Sequence, residues 1–196
     1  IPSLLFMNLS PIENDSFLPK TGKIRIIYAG LLGVAQDVLA ICKNIDYEAL
    51  NTELHIYGDG NQKNEILTLD KKGVVYHEPV SKKEIQRLMA NYDFSLIPLR
   101  TYIFGAFPSK ITAAVASAIP VLFLGEGEGA KLVSELNIGK SLKFDEFDSL
   151  SEYLISYSEN REEAARNFYN NLSEAQLKSF DIAKNNQNLI NFLRRL

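Results

Sequence analysis

The 196-residue chain has no tryptophan, two methionines, two histidines and one cysteine. A lone cysteine, Cys42, excludes an internal disulfide framework and fits a reducing compartment. It falls in an apolar helical pattern and reads as a small core residue, not a nucleophile. The two histidines, His55 and His77, are far apart in sequence, and without a cysteine pair they form no metal-ligand spacing. A net charge of −3 gives no electrostatic case for a nucleic-acid partner. There is no secretory signal and no transmembrane segment: the longest apolar run, Ala113 to Leu124, is too short and is broken by Pro120. Internal repeats and low-complexity tracts are also missing. The chain starts at Ile1 instead of methionine, which suggests an excerpt from something longer.

What is present is a composition that can build a core, 46% apolar and 23% charged. Residues 1–22 hold three prolines and no periodicity, and read as a linker or lead-in. Strands are predicted at Lys23–Ala29, Leu54–Tyr57, Val74–Tyr76, Phe94–Leu99, Val121–Leu124 and Lys140–Leu142. Helices are predicted between them, with apolar positions Val38, Leu39, Ile41, Cys42 and Ile45 in the first. A polar helix over Gln62–Leu69 follows, then one opened by the Ser81/Glu84 capping box. Later helices are predicted at Ala130–Leu136, Leu150–Ser156 and Glu162–Asn170, and a last one is capped by Ser173 with Gln176 three positions on. Strands alternating with helices of these lengths imply an α/β fold: a Rossmann-like parallel sheet with helices on both faces and extra C-terminal helices.

The central element is the helix opened by Phe107-Pro108-Ser109-Lys110. Proline is tolerated in a first helical turn, and serine beside it can accept a bond from a free amide. Ile111, Ala114, Val115 and Ala118 then form a narrow apolar stripe. A helix start with free N–H groups, a positive dipole end and a lysine is an anion site; the spacing alone fits an ordinary solvated lysine equally well. In a parallel sheet ligands bind at the carboxyl ends of the strands. Those ends are Gly30–Gly33, Gly58–Gly60, Glu78–Val80, Pro98–Arg100 and Gly125–Gly129, all expected on one rim. Gly30-Leu31-Leu32-Gly33 can bring backbone amides to a phosphate or be a plain turn. It is not the GxGxxG dinucleotide fingerprint, so Asp46 is not read as a ribose-binding acid. Asp59 can contact a ligand hydroxyl or simply start the next helix. Lys110 and Arg100 are the two cations expected on the rim, where with the helix dipole they can neutralise a diphosphate. Glu126 and Glu128 can act as paired carboxylates, but in an acidic glycine loop a solvated role fits better. Lys82-Lys83 and Glu162-Glu163 are solvent-facing runs. No Ser–His–Asp or Cys–His arrangement can be assembled.

Five pieces now stand in order. They are Tyr28-Ala29-Gly30-Leu31-Leu32-Gly33 with Gln36, Leu54 to Gly60, Val80 to Ile85, Tyr92 to Leu99, and Pro108-Ser109-Lys110 with Pro120-Val121. Over roughly residues 24–145 this resembles the C-terminal domain of family-four, group 1 glycosyltransferases of the GT-B fold. The likeness is greatest to the bacterial capsule and O-antigen type with a Pro-Ser-Lys motif. Four departures from the family pattern are visible: Leu31 where arginine is frequent, Gln36 for lysine, Ala113 for the carboxylate that grips the ribose, and Ala118 for glycine. Glu78 also replaces a glycine common near the base.

The resemblance implies a lead-in over 1–22, a nucleotide-sugar-binding domain over 23–172 and a C-terminal helix over 173–196. It implies the donor-binding half of a retaining glycosyltransferase (hexosyltransferase type) acting in cell-surface polysaccharide assembly. The substrate would be a UDP- or GDP-sugar, with no cofactor and no metal. The implied donor site comprises Gly30, Leu31, Gly33, Gln36, Gly58, Asp59, Gly60, Pro79, Val80, Pro98, Arg100, Pro108, Ser109, Lys110, Ala113 and Gly127. Lys110 would stabilise the leaving diphosphate. The partner would be an absent N-terminal acceptor domain, without which the chain should not turn over. The location would be cytoplasmic, with membrane contact only through that domain and a lipid-linked acceptor. A non-catalytic GT-B lobe acting as a scaffold, and a nucleotide-sugar epimerase, are the alternatives.

Overall fold

The computed structural model describes residues 20–101, 109–178, 180, 186–187 and 190–191. Six strands form one sheet: β1 (Ile24–Ala29), β2 (Thr52–Tyr57), β3 (Val74–His77), β4 (Phe94–Leu99), β5 (Val121–Gly125) and β6 (Gly139–Leu142). Their order is β3-β2-β1-β4-β5-β6, and every pairing is parallel. The near-continuous apolar runs of β1 and β5 follow from this, because an inner parallel strand is covered on both faces. All five residues of β5 are buried.

Helices cover both faces, as the alternation predicts. On one face α1 (Val38–Asn44) and α6 (Phe147–Glu159) contribute Leu39, Ile41, Leu150 and Leu154 to a core with Ile26, Tyr28 and Phe94. Cys42 is buried there, and burial pushes its thiol up to about 12, in keeping with a packing role. On the other face α4 (Ser109–Ala116) and α5 (Glu128–Glu135) supply Ile111, Ala114, Val115 and Val133 against Ile27, Ile97 and Phe123. Two short helices complete the units, α2 (Lys63–Thr68) and α3 (Lys82–Met89). Ser81 caps α3, its hydroxyl accepting from the Glu84 amide at 3.2 Å.

Two expectations change. The predicted break before Ser173 is absent: α7 runs unbroken over Arg161–Lys178. The Ser173 hydroxyl donates to the Tyr169 carbonyl one turn back at 2.9 Å, so it bonds within the helix and caps nothing. The helix passes from one face to the other, Phe168 packing on the first core and Leu172 in the second. The acidic glycine loop is shorter than expected, because α5 starts at Glu128. Leu189 and Leu193, near the end of the chain, lie outside the described residues.

Candidate functional site

Parallel strands bring all their carboxyl ends to one edge, so the expected rim exists. A cavity of about 540 Å³ opens there, between the ends of β1, β2 and β3 and the helices α3 and α4. Nine of the residues singled out from sequence line it: Gly30, Leu31, Gly58, Asp59, Pro79, Val80, Ser109, Lys110 and Ala113.

Its polar end is built by close backbone approach. The Gly30 amide donates to the Tyr57 carbonyl at 2.9 Å, and the Leu32 amide donates to the Asp59 carbonyl at 2.8 Å, zipping the two glycine loops together. A side chain on Gly58 would run into the Gly30 carbonyl, so only glycine lets these loops touch. Gly30 has φ +152°, and a Cβ there would lie 2.7 Å from Lys110 Nζ. The lysine therefore lies directly against the β1 loop. Its ammonium stands 5.3 Å from the centre of the Tyr28 ring, and among the described residues it has no carboxylate or hydrogen-bond partner. Burial lowers its pKa, as expected for a cation facing no countercharge. Tyr28 donates to the Leu31 carbonyl at 2.5 Å, and burial raises the pKa of its phenol, which keeps it a neutral donor. Ser109 and Lys110 occupy the first turn of α4, whose free amides and dipole add positive potential. An unpaired, partly desolvated cation at a helix start is an anion site.

The other end of the cavity is apolar, with Val80, Ile85 and Met89. Beside it Lys63 pairs with Glu78 at 3.1 Å and lies 5.3 Å from the Tyr76 ring centre. Its pKa is raised first by Tyr76 and then by Glu78.

The structure redistributes the remaining predicted residues. Arg100 does not join Lys110: it forms an ion pair with Asp37, packs over the Phe144 ring at 5.8 Å, and lines a separate cavity of about 500 Å³ with Glu126 and Lys143. Lys82 lines the first cavity, and Lys110 and Arg100, both at the carboxyl edge of the sheet, do not share one cavity. Gly33, Gln36, Gly60, Pro98 and Gly127 do not line the cavity. Gly33 and Gln36 face each other, a Cβ on Gly33 falling 3.2 Å from Gln36 Oε1. Gly60 packs on the Leu32 backbone, Pro98 is buried in β4 beside Leu124, and Gly127 precedes α5. The Gly30–Gly33 amides are also not all free for a phosphate, since two already bond the β2 loop. Pro108 lies outside the described residues.

Two features escaped the sequence reading. Ser95, 4% exposed, sits on the cavity wall, and its hydroxyl has no partner among the described residues. A polar position inside an apolar buried strand was the available signal. The second is the contact of His55 Nδ1 with His77 Nε2 at 2.9 Å, made by neighbouring strands in register. His55 Nε2 also meets Glu53 at 3.2 Å, and His77 stacks on Tyr57 with ring centres 4.3 Å apart. No group of three ligating side chains suited to a metal occurs among the described residues. No helix among them is long and apolar enough to cross a membrane.

The family model for glycosyl transferases group 1 matches residues 23–153. Among curated proteins none matches the chain in sequence. Solved structures share its fold. TarM from S. aureus, crystallised with UDP and alpha-GlcNAc-glycerol among its ligands, superposes with a TM-score of 0.73 at 16% identity over 96% of this chain and 39% of its own. HepE from Anabaena with UDP gives 0.73 at 16% identity, over 89% of this chain and 50% of its own. The C-terminal domain of a glycosyl transferase group 1 family protein, LpcC from Francisella tularensis, gives 0.62 at 14% identity, over 82% and 88%. The chain thus spans half or less of TarM and HepE and most of the isolated LpcC domain.

Proposed function

The chain belongs to the glycosyl transferases group 1, and on that premise we propose that it is the donor-binding lobe of a retaining glycosyltransferase, with a nucleotide-sugar held in the rim cavity. The observation that carries this reading is the Lys110 ammonium, set against Gly30 at the start of α4 with no countercharge among the described residues. A diphosphate supplies that charge. As the sugar's anomeric bond to the diphosphate breaks, negative charge grows on the departing phosphate. Lys110 and the α4 amides stabilise it more in the transition state than in the bound donor. On this reading the lysine does the neutralising and no resident cofactor takes part. Gly58 and Asp59 border the nucleoside, and the apolar end by Pro79 and Val80 receives the base. Neighbours that carry UDP in their crystals support the assignment.

The acceptor, a growing cell-surface polysaccharide or its lipid-linked precursor, falls to a separate N-terminal domain, in keeping with the chain's span of 38–50% of its larger neighbours. The protein works on the cytoplasmic side. Calorimetric titration with UDP, GDP and dTDP and their sugars tests the donor reading. At least one should bind, and Lys110→Ala should weaken it by about 30-fold, the range for losing a charged hydrogen bond. Binding that ignores Lys110→Ala would overturn it. The alternative of a non-catalytic lobe is favoured by one observation: Leu31, at the cavity, is 63% exposed and offers a phosphate no charge. Absence of any nucleotide binding would select it.

A further inference from the structure

Asp37 is costly to place. It opens α1 with φ 42° and ψ 52°, a left-handed conformation that L-residues seldom adopt, and it is buried. A buried ion pair is weak evidence for stability, whereas backbone held in a sparse region points to function. The bonds of this carboxylate show what it holds. Asp37 Oδ1 accepts from Gln62 Nε2 at 2.7 Å, and Oδ2 pairs with the Arg100 guanidinium. Gln62 ends the loop after β2, and Arg100 follows β4, so one carboxylate joins three loops of the rim. Main-chain bonds run beside it. The Gln62 amide donates to the Leu32 carbonyl at 3.1 Å, and the Arg100 amide donates to the Ala35 carbonyl at 2.9 Å.

These loops carry the two halves of the anion site. The loop from Gly30 to Asp37 supplies Gly30 and Leu31 to the rim cavity. The connection that leaves β4 at Arg100 reaches the cavity again as Ser109 and Lys110. Lys110 lies against Gly30, so the spacing of the two loops sets where its ammonium stands. Neither Asp37 nor Arg100 lines that cavity, and the pair acts on an occupant through the loops alone. We propose that Asp37 is a positioning residue for the donor diphosphate. By holding Arg100 and Gln62 it keeps the loop after β1 seated, with Gly30 against Lys110. This rests on the nucleotide-sugar reading given above.

Calorimetry on the protein in its full natural length tests this, with the tightest-binding of UDP, GDP and dTDP as ligand. Asp37→Asn is the informative variant. Asparagine tolerates the left-handed backbone and its carbonyl still accepts from Gln62, so only the charge that holds Arg100 is lost. Affinity should fall about tenfold, and Arg100→Gln, at a side chain 56% exposed, should reproduce the fall. Because the effect runs through Lys110, Asp37→Asn combined with Lys110→Ala should bind no more weakly than Lys110→Ala alone. The double variant should thus sit about 30-fold below wild type, not the about 300-fold of independent losses. A multiplied loss overturns the proposal. So does a lowered urea midpoint with unchanged affinity of the folded variants, the mark of a purely structural role. Arg100→Gln decides alone if Asp37→Asn does not fold. Binding that depends on Lys110 but on neither Asp37 nor Arg100 overturns the proposal and leaves the nucleotide reading standing. Failure of all three nucleotides to bind the wild type sinks both.

Discussion

Arg161 and Asp93 lie 68 positions apart in sequence and meet side-on, with Nε to Oδ1 and Nη2 to Oδ2 both at 2.8 Å. The same guanidinium reaches the carbonyls of Gly22 and Lys23, and Asp93 also accepts from the Arg25 amide at 2.8 Å. One buried pair thus ties the entry of β1 to the start of β4 and to the first residue of α7. Asp93 is 1% exposed, so removing its partner strands a charge. Arg161→Ala should lower unfolding free energy by about 3–5 kcal/mol, and Asp93→Ala by a similar amount. Urea denaturation of the two single variants and the double variant checks this: the double variant should lose less than the sum. Full additivity would show that the two do not act as a pair.

Ala118 follows α4 with φ +49°, in the left-handed region. A side chain there carries about 1–2 kcal/mol of strain, while glycine adds about 0.5–1 kcal/mol of unfolded-state entropy. Ala118→Gly should therefore stabilise the fold by about 0.5–1 kcal/mol. Thermal unfolding reads it directly, and a lower midpoint would refute the argument.

Much of this was visible in the residues themselves. The runs Ile26–Ala29 and Val121–Leu124 are apolar without alternation, as buried parallel strands must be, and Ser81 with Glu84 announced a cap that exists. The rim followed from topology alone. Pairings between distant positions did not show, because local pattern carries no information about them. Arg100 finds Asp37 across 63 positions and leaves the cavity, while His55 finds His77 only through the register of β2 and β3. Ser173 with Gln176 misled for a different reason. The same serine pattern that caps a helix from outside also occurs within one, where the hydroxyl bonds back to the carbonyl of the previous turn.

The histidine contact makes stability depend on pH. Burial, outweighing the Glu53 carboxylate, lowers the pKa of His55, and burial lowers that of His77. Both folded values lie below the unfolded value of about 6.5, so on acidification the unfolded chain takes up protons first. Their stabilising contribution is present above about pH 6.5 and is lost as pH falls below it. The slope can reach about 1.4 kcal/mol per pH unit for each proton. Glu53, whose own pKa is lowered chiefly by Lys23, loses its contribution only at more acid pH. Since these are the chain's two histidines, urea midpoints between pH 7.5 and 5.5 isolate them. The midpoint should fall across that window, and His77→Gln should make the fall shallower. A wild-type midpoint that is flat over the window would refute it.

Gly30 and Gly58 look alike in sequence, yet the structure gives them different work. A Cβ on Gly58 meets backbone, the Gly30 carbonyl, which cannot move without pulling β1 from its place. A Cβ on Gly30 meets the far end of the Lys110 side chain, which can swing away. Gly58→Ala should thus destabilise the fold by about 3 kcal/mol, the upper range for overpacking. Gly30→Ala should lose about 1–2 kcal/mol to its backbone conformation and remain folded. The Lys110 ammonium, however, is displaced from the β1 loop, so affinity for the tightest-binding nucleoside diphosphate should drop at least about tenfold. Denaturation and calorimetry on the two variants separate the effects. If Gly30→Ala binds as tightly as the wild type, the position of Lys110 against that glycine is not what holds the anion. If Gly58→Ala is as stable as the wild type, the close approach of the two loops is not what shapes the rim.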